Sequence, residues 1–574
     1  MSGYWKAEDK IPIAQKSVSI PSQNGLEYSG GQRVIFDIPA SVEFIQPKEC
    51  YLSWDVKLQL PSGKLPTKLQ LDETLGAQSL IKDIRIYSGG AGKILLEEYQ
   101  DYNVLTNVKY TYETNDVLRK KRAMTEGSTY HSVKTRGTCG TMESHKNCVS
   151  DNPYFKPKTS TTTDVFDDTD FLKVKCCLPL NTGIFSNSKV FPVMMTEGLQ
   201  IDIVLEEAEV VMRQLDQVLR LKNLQFMPIF HSIDGDLDNP KILTNACDTK
   251  TIFLANDNLI NSVANVPFCV GETIAFVKIA DADHVVPSPE MKISSISLSG
   301  TNGLIQLDFS ASGQTSANIT ASGTFGVVSH SVEAAGTSYA ASYVVSDCQM
   351  VLQQLEMPQG YKSKMMSMMK EGGSMNYDFL SFTNYKYSQL SSDIVANIRL
   401  PLNMSRAKAI LSVPTDSSVY DSVARISGGD TYNWYAVAGT PDRLINSDKS
   451  GLVGCVDRLQ EYQFFYDGKL NPSRKVNVSN TATQVGISQN GLIELEKALA
   501  VSEIVPYSFL GFNENFVIGR ALSLHNGVYD TRGKDFNLQV EYTGGVPTKN
   551  KLWCNFVSHI RRIEFTANGI SLQV

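Results

Sequence analysis

Residues 51–60 read YLSWDVKLQL, in which Leu52, Trp54, Val56, Leu58 and Leu60 alternate with Ser53, Asp55, Lys57 and Gln59. Successive side chains of a strand point to opposite faces, so this stretch predicts a strand with one face on a core and the other facing water or a partner. The same period returns in LQIDIVLE at 199–206, where Leu199, Ile201, Ile203 and Leu205 oppose Gln200, Asp202 and Glu206. It returns again near the end, where Phe536, Leu538, Val540 and Tyr542 alternate with Asn537, Gln539 and Glu541. Gly, Pro, Asn and Asp punctuate the intervals, as expected between antiparallel strands.

Helical periodicity is sparse. After the turn SGGAGK, Leu95, Tyr99 and Tyr102 recur at i, i+4 and i+7 and predict one helix. GLIELEKALA at 491–500, with Leu492, Leu495 and Leu499 on one stripe, predicts its partner in the second half. Residues 207–219 fit either a helix or the continuation of a strand.

Two strand-rich stretches, from about Arg33 to Met357 and from about Asn376 to Val574, therefore follow the same order of parts. Each opens on alternating strands, passes through a short helical stretch and closes on strands. The expected organisation is an amino-terminal tail over 1–30, a first β unit over 31–358, a linker over 359–375 and a second β unit over 376–574. The first unit contains a β-rich insertion at about 216–340, with its own alternation (Ile305, Leu307, Phe309) and a run of small residues from Ser310 to Ala341. A second long stretch, from about Tyr110 to Asp170 and containing KTSTTTDVFDDTD, predicts a solvent-exposed loop. The linker MPQGYKSKMMSMMKEGG holds one amphipathic turn whose Met365, Met366, Met368 and Met369 suit irregular packing between the units.

The chain's 574 residues are enough for several full cores, and a net charge of −7 gives no electrostatic reason to bind nucleic acid broadly. In the tail, Lys6, Lys10 and Lys16 are balanced by Glu8, Asp9 and Glu27, so no basic arm condenses a genome. No stretch approaches the roughly 20 apolar residues of a spanning helix, and MSGYWKAEDK lacks an apolar signal core. Synthesis in the cytoplasm or nucleus, without secretion, is the expectation. Ten scattered cysteines suit free thiols, and the neighbours Cys176 and Cys177 point to opposite faces of a strand.

No chemistry-bearing motif stands out. SGGAGKI lacks the spacing and the Ser or Thr after lysine of a phosphate-binding loop, so it predicts a strand-to-helix turn. His131, Cys139, His145 and Cys148 are zinc-type residues without the short knuckle spacing, and they read as loop residues. No nucleophile elbow or His-Glu-x-x-His helix is present, and no carboxylate dyad can be singled out. The dense basic run Arg119, Lys120, Lys121 and Arg122 reads as a solvated loop or helix end. The sequons at Asn318, Asn403 and Asn477 carry little weight without a secretory route. The expectation is no catalytic, cofactor or metal site, no cofactor and no enzyme.

Three segments carry a resemblance: SLIKDIRIYSGGAGKILLEEYQDYNVL at 79–105; the junction at 352–389 with IRLPLNMSRAKAILSVPTD at 398–416; and LQEYQFFYDGKLNPSRKV at 459–476 with the closing strands FNLQVEY and HIRRIEFTANGISLQV. Together they resemble the double jelly-roll major capsid proteins of virophages, polinton-like viruses and adintoviruses, relatives of the nucleocytoplasmic large DNA viruses. The resemblance implies an all-β chain of two tandem eight-stranded antiparallel jelly rolls with few short helices. It implies a homotrimer forming a pseudo-hexameric capsomer that tiles the icosahedral shell of a double-stranded DNA virus. The implied partners are neighbouring capsomers, a penton protein and minor or cement capsid proteins, with possible contact to an internal membrane and no sequence-specific nucleic-acid binding. The implied location is the virion. The alternative is a β-sandwich carbohydrate-binding protein or adhesin, which calls for exposed aromatics, whereas Trp54 sits among core positions.

Overall fold

The computed structural model describes residues 12–59, 68–72, 74–90, 92–128, 157–159, 166–171, 173–215, seven strands between 230 and 330, 342–416, 452–454, 459–481, 484–487, 489–507, 515–522, 527–542, 550–567 and 569–573. Its frame is sixteen strands in two sets of eight. The first set is β1 (Ala14–Pro21), β2 (Arg33–Ile38), β3 (Tyr51–Gln59), β4 (Ile81–Ser88), β5 (Leu95–Tyr99), β6 (Val174–Pro179), β7 (Leu199–Leu205) and β8 (Ser342–Glu356). The second set is β9 (Met375–Gln389), β10 (Val395–Leu400), β11 (Ala407–Asp416), β12 (Glu461–Tyr466), β13 (Lys469–Asn477), β14 (Ile518–Ala521), β15 (Phe536–Glu541) and β16 (Lys551–Thr566).

Strand order defines the fold. The first set pairs as β1-β8-β3-β6 and β2-β7-β4-β5, and the second as β9-β16-β11-β14 and β10-β15-β12-β13. Each strand of the second set thus occupies the place of the strand eight earlier, and every pairing within these four sheets is antiparallel. Two facing four-stranded paths connected this way form a jelly roll, and the chain holds two of them.

Alternation places the cores where the sequence expects them. Leu52, Trp54, Val56 and Leu58 are fully buried on β3, as are Ile201, Ile203 and Leu205 on β7 and Phe536, Leu538 and Val540 on β15. The polar face of β7 is less open than its residue types suggest. Asp202 is buried against Arg33, and Glu206 is buried against Lys82 and Asn103.

The connections are sorted by end. Register puts the starts of β2, β4, β6 and β8 and the ends of β1, β3, β5 and β7 at one end of the first roll. The second roll repeats this. The longest connections, 100–173 and 206–341 in the first roll and 417–460 and 478–517 in the second, all leave from that end. The insertion between β7 and β8 forms a closed barrel of seven strands, from Phe230–Ser232 to Thr324–His330. Most of the small-residue run from Ser310 to Ala341 lies outside the described residues.

Several expectations need correction. The helix predicted through Leu95, Tyr99 and Tyr102 is strand β5 followed by helix α1 (Tyr102–Glu113). SGGAG is accordingly a strand-to-strand turn. Gly90 has φ +74, and a Cβ on Gly89 would lie 2.0 Å from the Glu197 carbonyl. The stretch from Tyr110 is not an exposed loop at its start: Tyr110 and Tyr112 are buried on α1, and helix α2 (Asp116–Thr125) follows. Around KTSTTTDVFDDTD, Pro157–Thr159 pairs with Phe166–Phe171. Both readings of 207–219 hold in part, because a turn of helix α3 (Ala208–Val211) runs into a strand, Met212–Leu215. The linker contains helix α4 (Gln359–Lys370), which buries Met365 and Met369 and leaves Met366 exposed. Helix α5 (Gln489–Val501) forms as expected and packs Leu495 and Ala498 onto Gly519 of β14.

Candidate functional site: the seam between the rolls

In the second roll, β16 is buried without interruption from Trp553 to His559, and β11 from Ala409 to Thr415. A sandwich strand normally alternates, so a continuous buried run means that both faces are covered. Trp553 donates to Gln389 within its own roll at 2.7 Å, while the neighbouring Cys554 lies 3.9 Å from Asp101 of the first roll. The first roll is therefore the cover on the outer side of β16, while helix α5 covers the β11 and β14 side.

Three polar centres hold the seam. Asp101, in the left-handed region at φ 51, has a buried carboxylate that accepts from Asn384 at 2.6 Å and pairs with Lys386 at 2.7 Å. Glu97 on β5 is fully buried and accepts from the backbone of Gly183 at 2.8 Å and Ile184 at 3.0 Å, and from the Ser381 hydroxyl at 2.9 Å. Burial pushes its carboxyl above the usual carboxylate range, against the pull of these donors. Asn515 donates to Asn107 at 3.1 Å and Thr111 at 3.2 Å on α1, and its carbonyl accepts from Tyr112 at 3.0 Å. A buried polar group stripped of its partner costs far more than the bond itself contributes, so these centres fix one relative placement of the rolls.

Aromatic packing adds to them. Phe191 stands edge-on to Tyr377 at 5.1 Å and near Phe565 at 6.3 Å, and Tyr99 meets Phe382 at 6.4 Å. Burial raises the Asp378 carboxyl, but the Arg562 fork at 2.6 and 2.9 Å and Arg406 at 3.3 Å outweigh it and hold it below its ordinary value. Gly183 is pinned between the rolls: an added Cβ would meet the Leu380 carbonyl at 2.1 Å and the Phe379 ring at 2.6 Å.

A cleft of about 640 Å³ opens along the same seam, lined from the first roll by Lys48, Lys109 and residues 181–189 and from the second by residues 378–382 and 502–504.

The residues weighed in the sequence fall elsewhere. His131, Cys139, His145 and Cys148 lie outside the described residues, and among the described residues no group of His, Cys, Asp and Glu is arranged for a metal. In the basic run, Arg122 stacks on Tyr110 at 3.4 Å and bonds Thr114, so it belongs to the α1–α2 packing. Cys176 is buried and Cys177 half-buried, on opposite faces, and the five described cysteines are free. Glu97, Asp101, Gly183 and Asn515 were not singled out by the sequence. The available signal was LWCNFVSHI at 552–560, which is too evenly apolar for a strand with one wet face.

No protein-family model matches the chain, and no curated protein matches it in sequence. Solved structures similar to it are capsid proteins. PBCV-1 VP54, fitted into a cryo-EM reconstruction of the virophage Sputnik, is 10% identical over 98% of this chain and 96% of its own, with a TM-score of 0.43. The Faustovirus major capsid protein is 8% identical over 96% and 90%, with a TM-score of 0.44. The mavirus major capsid protein is 8% identical over 100% and 94%, with a TM-score of 0.34.

Proposed function

We propose that the chain is a major capsid protein that trimerises into a pseudo-hexameric capsomer and tiles the icosahedral shell of a double-stranded DNA virus. One observation carries this reading: two rolls of identical strand order are locked side by side, and only one of two equivalent sheet faces is covered. The outer face of β9 and β16 is buried by the first roll, with helix α5 covering the β11 and β14 side. The equivalent face of β1-β8-β3-β6 carries the exposed Tyr51 and Lys175, the half-buried Cys177 and an exposed Asp347. A second copy placing its second roll there repeats the internal seam, and three such repeats close a ring of six similar units.

The sorting of the connections supports a shell with two distinct sides. The long connections and the barrel leave from one end, which we assign to the outside, while Ala14 pairs with Glu356 at the other. Because Ala14–Pro21 is strand β1 of the first roll, the tail expected over 1–30 shrinks to the residues before it, and we place these inside, against minor capsid proteins or neighbouring capsomers. Cross-linking of the tail to outer-surface probes on intact particles would count against that placement. On this reading the division into tail, first roll with insertion, linker and second roll is a division of assembly labour, the role is structural and the location is the virion.

Size exclusion with light scattering tests the proposal. The expected mass is three times that of the chain, with pseudo-hexagonal particles or sheets in negative stain. A monomer that binds sugars at every concentration tried overturns it in favour of the carbohydrate-binding alternative.

A further inference from the structure

The inter-roll cleft has an unbalanced wall. Two of its carboxylates are satisfied from outside it: Asp378 by Arg562 and Arg406, and Glu503 by Lys408 at 2.9 Å. Three lysines line the same cleft, and among the described residues none has a carboxylate within ion-pair distance. Lys109 donates to the Asn181 carbonyl at 3.2 Å and lies 4.8 Å from the centre of the Phe382 ring. Lys189 donates to the Asp378 carbonyl at 3.3 Å, and Lys48 is an exposed residue of the lining. Glu113 is the one lining carboxylate without a cation at ion-pair distance, and burial raises its pKa toward the neutral form.

Lys109 is the desolvated amine of the three, opposed only from a distance by Glu113 and Glu97, and the cost of burying it falls when an anion enters. Around the lysines the wall presents the hydroxyls of Ser186 and Ser188, while the Asn181 and Asn187 amides keep one N–H each beyond their bonds to Tyr110 at 3.2 Å and the Asp378 carbonyl at 3.1 Å. The volume lies within the ordinary range for small-molecule sites. Lysine meets phosphate as a point charge, needing no planar fork, and several amines around one cleft suit several charges on one ligand.

We propose that this cleft binds a small, multiply charged oxyanion of the phosphate type, held by Lys48, Lys109 and Lys189. Because its walls come from both rolls, the bound anion clamps them together. A ligand that binds only the assembled seam stabilises the folded chain in proportion to its occupancy.

Thermal unfolding of the full chain in sodium tripolyphosphate, against sodium chloride at matched ionic strength, tests the proposal, with affinity measured by calorimetry. The expected result is a midpoint raised by several degrees. In the double variant K48Q/K189Q, which alters only outward-facing lysines and leaves the core intact, affinity should fall about tenfold or more. K109Q should reduce it further, and the control K16Q/K469Q should leave it unchanged. Equal shifts in the wild type, K48Q/K189Q and the control mean general anion screening and overturn the site, as does the absence of any shift. Neither result bears on the trimer, which is read separately by mass.

Discussion

In the second roll, β16 is buried on both faces from Trp553 to His559, whereas its counterpart β8 alternates between buried and partly exposed residues along most of its length. The strands hold the same place in the same topology, so the difference lies in what covers them. A covered sheet holds polar residues best where they find partners, and the seam provides them through Asp101 and Glu97 of the first roll and Asn515 of the second. The open sheet carries Lys173 and Lys175 beside Asp55, and Lys175 beside Asp347, pairs that water screens and that contribute little to the isolated chain. The contrast locates the chain's rigidity at the seam and its remaining interaction capacity on the first roll's outer sheet.

The most damaging change to this arrangement is Gly183→Ala. Its Cβ would overlap the Leu380 carbonyl and the Phe379 ring, and backbone cannot step aside cheaply. Overpacking of this kind should cost about 3 kcal/mol, concentrated at the seam and sparing both cores. Of the four tryptophans, Trp54 is buried in the first roll and Trp553 in the second, and replacing the other two by Phe lets these report on the rolls. Denaturant unfolding followed by fluorescence should give one transition in the wild type and two in the variant, and a single unshifted transition would mean that the rolls do not rely on this contact.

Acid should act on the covered sheet through a buried histidine. His559 is fully buried on β16, and burial lowers its pKa from 6.5 to about 4, with Arg561 adding to the shift. Between those values the unfolded chain holds a proton that the folded chain does not, so stability falls as the pH drops from about 6.5 toward 4. The difference of some 2.5 units corresponds to about 3 kcal/mol at full development. His559→Gln should flatten that part of the stability profile measured by urea titration. An unchanged slope would assign the acid sensitivity to carboxylates instead.

The frame of this molecule was legible in its sequence, and its seam was not. Alternation in 51–60, 199–206 and 536–542 identifies β3, β7 and β15 because each has one face on a core, and the leucine stripe of α5 is equally direct. Leu95, Tyr99 and Tyr102 satisfied helical spacing by coincidence, since Leu96 and Tyr99 are both buried on a bulged five-residue strand, too short to show its period. The glycines of SGGAG were the better guide, because Gly90 takes a positive φ in the connection between β4 and β5. Glu97 and Asp101 read as ordinary surface acids, since their partners lie 284 and 283 positions away at Ser381 and Asn384. Residues that join two folded units are set by the tertiary arrangement, and no local pattern announces them.

A gentler probe of the seam is Glu97→Gln. The amide keeps one acceptor oxygen but turns an N–H₂ toward donors, so the cost should be about 1–3 kcal/mol. The pH dependence should change in the opposite sense to that of His559. The raised carboxyl of Glu97 means that the folded chain holds the extra proton, so its contribution to stability is lost as pH rises through the folded value. The variant should therefore lose part of the decline seen above the ordinary carboxylate range. A profile that instead steepens there would mean that the charged form is the one the seam favours.

The smallest effect is expected on the open sheet, and it separates the two faces most cleanly. Asp347→Asn keeps a residue that tolerates the left-handed backbone at φ 49 and removes an exposed pair with Lys175 at 2.9 Å. In dilute monomer the loss should stay below about 1 kcal/mol. If a second copy covers this sheet, the same pair becomes desolvated there, and Asp347→Lys should lower the trimer fraction by light scattering while leaving the monomer's unfolding midpoint nearly unchanged. A trimer untouched by this reversal would move the contact to another face, although the internal seam, and the rigid pair of rolls it creates, would stand as described.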